Sequence, residues 1–94
     1  MKVTWSAASM RHLQQIVEYL QGESSGGAIT MRRRILQTAD RIGQMPHSGR
    51  IGRIDGTREA VVPRSPFIVV YEVSKQSIDI LGIWHTARLW PESF

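Results

Sequence analysis

The stretch Phe67-Ile68-Val69-Val70-Tyr71-Glu72-Val73 most constrains what this chain can fold into. It is apolar at successive positions, not alternate ones, up to Glu72. A strand wetted on one face alternates apolar and polar residues; a strand enclosed on both faces does not. The stretch therefore predicts a buried, central strand. Pro63-Arg64-Ser65-Pro66 precedes it, and two prolines so close cannot sit in a central strand, so this is a turn. Ser74-Lys75-Gln76-Ser77 turns the chain after it. Strands over 58–62 and 78–84 flank it, and turns this short make the three antiparallel. In the last strand, strict alternation sets Ile78, Ile80 and Trp84 on one face and Asp79, Leu81 and Ile83 on the other.

The N-terminal half reads differently. Val3 and Trp5 alternate with Lys2 and Thr4, a short half-buried strand tied into the later sheet. Ser6 stands where a helix N-cap belongs. Met10, Leu13, Ile16, Val17 and Leu20 then form one apolar stripe, predicting a helix over about 7–21. A Gly- and Ser-rich break covers 21–27. Met31, Ile35, Ala39 and Ile42 mark a second helix over about 28–44, which Pro46 ends. The residues from Met45 to Gly56 read as a loop, long enough to form the margin of a binding or active site. Together these elements predict an α+β fold in the order β-α-α-β-β-β. A helical hairpin would pack on one face of a small antiparallel sheet, and residues 1–94 would form a single domain.

Charge adds a functional constraint. Residues 32–64 carry eight arginines against Asp40, Asp55 and Glu59, a segment of +5 in a chain of +4. Such a concentration attracts polyanions or an acidic partner; a solvated basic surface is the plainer reading. There is no cysteine, which excludes disulfides, thiolate metal sites and cysteine nucleophiles and fits a reducing compartment. The three histidines are dispersed, which argues against a zinc site. No apolar run approaches the roughly 20 residues that a membrane helix needs.

Several short strings, taken in order, resemble one family. They are Val3-Thr4-Trp5-Ser6, Met45-Pro46, Gly49-Arg50, Gly56-Thr57-Arg58-Glu59 and Pro66-Phe67-Ile68-Val69-Val70-Tyr71. Ile78-Asp79-Ile80-Leu81 and His85-Thr86-Ala87-Arg88-Leu89-Trp90-Pro91 complete the set. The chain resembles a toxin of the RelE/ParE superfamily, the poison half of bacterial type II toxin–antitoxin modules, and is closer to the ParE-like subgroup. The resemblance implies a cytoplasmic protein without cofactor. It also implies a cognate antitoxin whose flexible, acidic C-terminal segment wraps over the toxin in a hetero-oligomer. It assigns antitoxin contact to Leu13, Val17, Arg32, Arg33, Val69 and Tyr71.

Two activities occur in such families: inhibition of DNA gyrase, and ribosome-dependent cleavage of mRNA. Metal-free RNA cleavage needs a base, an acid and cations for the phosphorane. Glu59 or His85 could serve as base and His85 as acid, with Arg58 and Arg88 beside them. The tyrosine that often closes the nuclease pattern is missing from the tail, so the gyrase reading stands ahead. For it, Arg50, Arg53, Arg58, Arg64, Arg88 and Trp90 form the expected target surface, one polar rim of the sheet. Glu59 has a second reading, as a partner of Arg58 or Arg50 that finishes a strand. His85 has one as a strand-end residue bonded to the tail. A non-toxic basic interaction domain is the third functional alternative.

Overall fold

The computed structural model describes residues 1–88 and Pro91. Seven elements follow one another: β1 (Lys2–Trp5), α1 (Ala7–Glu23), α2 (Ser25–Gln44), β2 (Arg50–Ile51), β3 (Arg58–Val61), β4 (Phe67–Val73) and β5 (Ser77–His85). The strands form one sheet in the order β1-β5-β4-β3-β2, with β4 in the middle. Ile68, Val69, Val70 and Tyr71 are each 2% exposed or less, so β4 is closed on both faces, as its unbroken apolar run requires.

The sheet is mixed, not wholly antiparallel. β3, β4 and β5 form the expected meander, but β1 runs parallel to β5, pairing Lys2 with Ser77 and Trp5 with Ile80. Parallel neighbours need a long crossover, and the helical hairpin forms the first part of it. Strand direction follows from the whole path of the chain, so the local pattern of residues 2–5 could not reveal it.

β5 also departs from strict alternation. Val70 pairs with Gly82 while Tyr71 pairs with Ile80, leaving Leu81 as the extra residue of a bulge. A bulge inverts the facing of everything beyond it. Ile83, not Trp84, therefore joins Ile78 and Ile80 in the core beneath the helices.

α1 is capped as expected: the Ser6 hydroxyl accepts the Ser9 N–H. The predicted break at 21–27 shrinks to one residue. Ser24, in an extended conformation, ends α1 through its N–H to the Leu20 carbonyl. It also begins α2, accepting the Gly27 N–H on its hydroxyl. Gly26 and Gly27 are compatible with helix here because first-turn N–H groups have no partner within the helix, and a cap suffices. α2 is the more deeply set helix: Ile35, Ala39 and Ile42 pack with Ala60, Val62, Val69, Tyr71, Ile78, Ile80 and Ile83 into one core, and Leu13 and Ile16 of α1 lie against it. No helix among the described residues is long and apolar enough to cross a membrane.

Candidate functional site

The segment from Met45 to Gly56, expected as a loop, holds the two-residue strand β2, one strand more than the expected order, and is pinned to the sheet from two sides. Arg50 and Glu59 face each other across β2 and β3. Arg50 donates from Nε and Nη2 to Glu59 Oε1 at 3.0 and 2.9 Å. The backbone N–H of Arg53 donates to Oε2 at 2.9 Å, and its Nε stands 3.6 Å from the same oxygen. The Glu59 side chain is only 2% exposed, whereas those of Arg50 and Arg53 are about half exposed. From the helix face, the Tyr71 hydroxyl donates to the Pro46 carbonyl at 2.8 Å and accepts the Gly49 N–H at 3.0 Å. A Cβ on Gly49 would collide with that hydroxyl, so only glycine lets the loop come this close. Arg58 reaches the same loop, donating to the Gly49 carbonyl at 2.8 Å and the His47 carbonyl at 3.4 Å.

This geometry supports the structural reading of Glu59. A carboxylate enclosed beneath two guanidiniums and a backbone N–H is a structural partner, and it is not open to a substrate hydroxyl. Its partner is Arg50, with Arg53 added; Arg58 turns to the loop carbonyls instead.

His85 lies elsewhere. It pairs with Phe67 at one end of β4, whereas Arg58 pairs with Tyr71 near the other. Four residues along a strand and two strand spacings set the two roughly 16 Å apart. The expected single polar rim is thus two separate clusters. Arg50, Arg53, Arg58 and Glu59 form one; His85 and Arg88 form the other, and Arg64, in the β3–β4 turn, lines a different cleft. Trp90 lies outside the described residues.

At the second cluster, the His85 ring meets Phe67 edge-on, with centroids 5.4 Å apart, and accepts the Ala87 N–H on Nδ1. This supports its reading as a strand-end residue bonded to the tail. His85 and Arg88 line a cavity of about 730 Å³ with His12, Tyr19, Phe67 and Trp84. His12, which lay off the apolar stripe, was not a sequence candidate. It accepts the Ile83 N–H on Nδ1 at 3.1 Å, fastening α1 to β5 beyond the end of β1. Burial, then the nearby Arg11 and Arg88 charges, hold its pKa below the ordinary 6.5.

A third feature is a groove of about 830 Å³ between α1, α2 and β1, the outer strand of the sheet. Val3, Trp5, Met10, Leu13, Val17 and Leu36 supply apolar walls, and Lys2, Arg11 and Arg32 supply positive charge against Glu18. Of the six expected antitoxin contacts, Leu13, Val17 and Arg32 are here, and Arg33 is exposed but outside the groove. Val69 and Tyr71 have no exposed surface and cannot offer one to a partner. Both point into the core because β4 is central. Among the described residues no cluster of His, Cys, Asp or Glu could hold a metal ion.

Comparison with known proteins agrees with this architecture. Residues 3–90 match the model of the ParE toxin of the type II toxin–antitoxin system parDE. The candidate toxin Y4kP of Sinorhizobium fredii is 32% identical over 91 residues, covering 97% of this chain and 94% of that one. A solved structure, the chromosomal ParDE toxin–antitoxin system from P. aeruginosa, superposes with a TM-score of 0.83 at 22% identity. That match covers 90% of this chain and 95% of that one. The chain belongs to the ParE toxin family, within the RelE/ParE superfamily of type II toxin–antitoxin modules.

Proposed function

We propose that this toxin arrests growth by binding and inhibiting DNA gyrase, and that it does not do so by cleaving RNA. The observation that carries the reading is the separation of the two clusters. General acid–base catalysis needs its groups within hydrogen-bond reach of the same reacting atoms. Glu59 is enclosed by arginines, and His85 stands roughly 16 Å from Arg58 by strand geometry. What remains is a basic, rigidly held surface suited to binding. Arg50, Arg53 and Arg58 present it at one end of the sheet, with Arg64 and Arg88 at the other.

The cognate antitoxin occupies the groove between α1, α2 and β1 in this reading. An amphipathic segment would set its apolar side on Leu13, Val17 and Trp5 and its acidic side on Lys2, Arg11 and Arg32. Purified toxin added to gyrase and relaxed plasmid tests the proposal. Supercoiling should fail, and recover when the antitoxin is added, while transcripts in arrested cells stay intact. Site-specific mRNA cuts that vanish in His85→Ala would overturn it in favour of a ribonuclease. Expression of the chain alone with undisturbed growth would leave only a basic interaction domain.

A further inference from the structure

α2 and the β3–β4 turn enclose a third, smaller cleft of about 120 Å³, lined by Arg34, Gln37, Thr38, Arg41, Pro63 and Arg64. Arg34 and Arg41 are two helical turns apart and so share one face of α2. Arg64 faces them from the turn. The four long side chains that line the cleft, Arg34, Gln37, Arg41 and Arg64, all carry hydrogen-bond donors, and three of them are cationic. None of the three arginines has a carboxylate partner among the described residues.

Two of the arginines are nonetheless oriented. Arg34 donates from Nη1 to the Arg64 carbonyl at 3.2 Å, and Arg41 reaches the Val61 carbonyl from Nη2 at 3.5 Å. Each of these bonds uses one of five guanidinium N–H groups. The turn is itself held: the Ser65 hydroxyl donates to the Val62 carbonyl and accepts the Phe67 N–H. Arg64 sits at φ 54, the only described residue other than glycine with positive φ. That conformation costs a side-chain-bearing residue about 1 kcal/mol.

Like charges gathered without a counter-charge repel one another, and a bound anion removes that cost. Fixed guanidinium forks match phosphate oxygens in particular. At about 120 Å³ the cleft is far smaller than the cavities of about 730 and 830 Å³ described above, a scale that suits a small anion. We infer that the Arg34–Arg41–Arg64 cleft is a binding site for a single phosphate group, carried either by a nucleic-acid backbone or by a small free phosphate. This inference does not rest on gyrase being the target.

The test uses the full-length chain and its arginine Nε–H NMR signals, titrated separately with inorganic phosphate and with a 12-base-pair DNA duplex. The expected result is a saturable shift of the Arg34, Arg41 and Arg64 signals with phosphate. Arg64→Asn is the informative variant. Asn tolerates positive φ and keeps the carbonyl that Arg34 uses, so an unchanged melting temperature will certify the fold. It should weaken phosphate binding about fivefold. If the duplex is the source, it moves the same signals, and Arg64→Asn lowers the salt slope of its binding by about one. A response to phosphate alone assigns the site to a free anion and overturns the nucleic-acid source. Absence of any saturable shift at these three residues, or Arg64→Asn binding both probes like wild type, overturns the site itself.

Discussion

Replacing Glu59 with Gln removes one charge while keeping the shape of the side chain, and so tests whether the pinned loop depends on that charge. Glu59 accepts two N–H bonds from Arg50 and one from the Arg53 backbone. Hydrogen bonds to charged groups contribute about 1.5–3 kcal/mol each. Gln keeps one acceptor oxygen, and both arginine side chains are half exposed, so water replaces part of what is lost. A net loss of about 2 kcal/mol is expected, well below the 3–5 kcal/mol typical of breaking a wholly buried pair. In a domain of this size each kcal/mol moves Tm by about 4–8 °C, so Tm should fall by about 10 °C. Thermal and urea unfolding followed by far-ultraviolet circular dichroism measures this. A cycle with Arg50→Gln should show coupling of about 1 kcal/mol or more. Stability within about 0.5 kcal/mol of wild type would refute the structural role. If that variant also lost toxicity, Glu59 would have to act on the target.

Tyr71→Phe leaves the Gly49 N–H and Pro46 carbonyl without their shared partner. It should cost about 1–3 kcal/mol and raise amide exchange at Gly49, both measurable by unfolding and hydrogen exchange. His12 gives a pH dependence of defined sign. Its folded pKa lies below the ordinary 6.5, so its stabilising contribution is complete above that pH and is lost as pH falls through the folded value. His12→Gln should flatten this acid-side loss in urea midpoints taken from pH 7 to pH 4. Val17→Glu places an acid in the groove against the expected acidic segment. It should weaken antitoxin binding at least tenfold by calorimetry while leaving the toxin's Tm nearly unchanged.

The sequence carried those parts of the fold that depend on local pattern. The Met31, Ile35, Ala39 and Ile42 stripe placed α2, and the unbroken run at 68–71 placed β4 at the centre. It did not carry the parts that depend on register. Nothing local to Leu81 announces a bulge, yet that one residue decides whether Ile83 or Trp84 enters the core. The same limit governed the site. Leu13 and Val17 share one face of α1 by helical spacing, so their place side by side in the groove is legible in the sequence; Arg32 joins them only through the packing of α2, and their assignment as partners comes from the family resemblance. Arg58 and His85 were grouped because both stand at strand ends, and only the pairing of β3, β4 and β5 shows that these ends are opposite. His12 gave no signal of its own: its role lies in a bond to a backbone N–H 71 residues away.

The parallel pairing of β1 with β5 has a consequence for the order of events during synthesis. Lys2 to Trp5 find their sheet partners only in Ser77 to Ile80. A nascent chain leaving the ribosome can wind both helices early, since their contacts are local. Its first strand has nothing to pair with until the last has emerged. The edge of the groove is therefore the last part to form. In the reading given above that edge is the antitoxin's seat, so the antitoxin's site closes only once β5 has paired with β1.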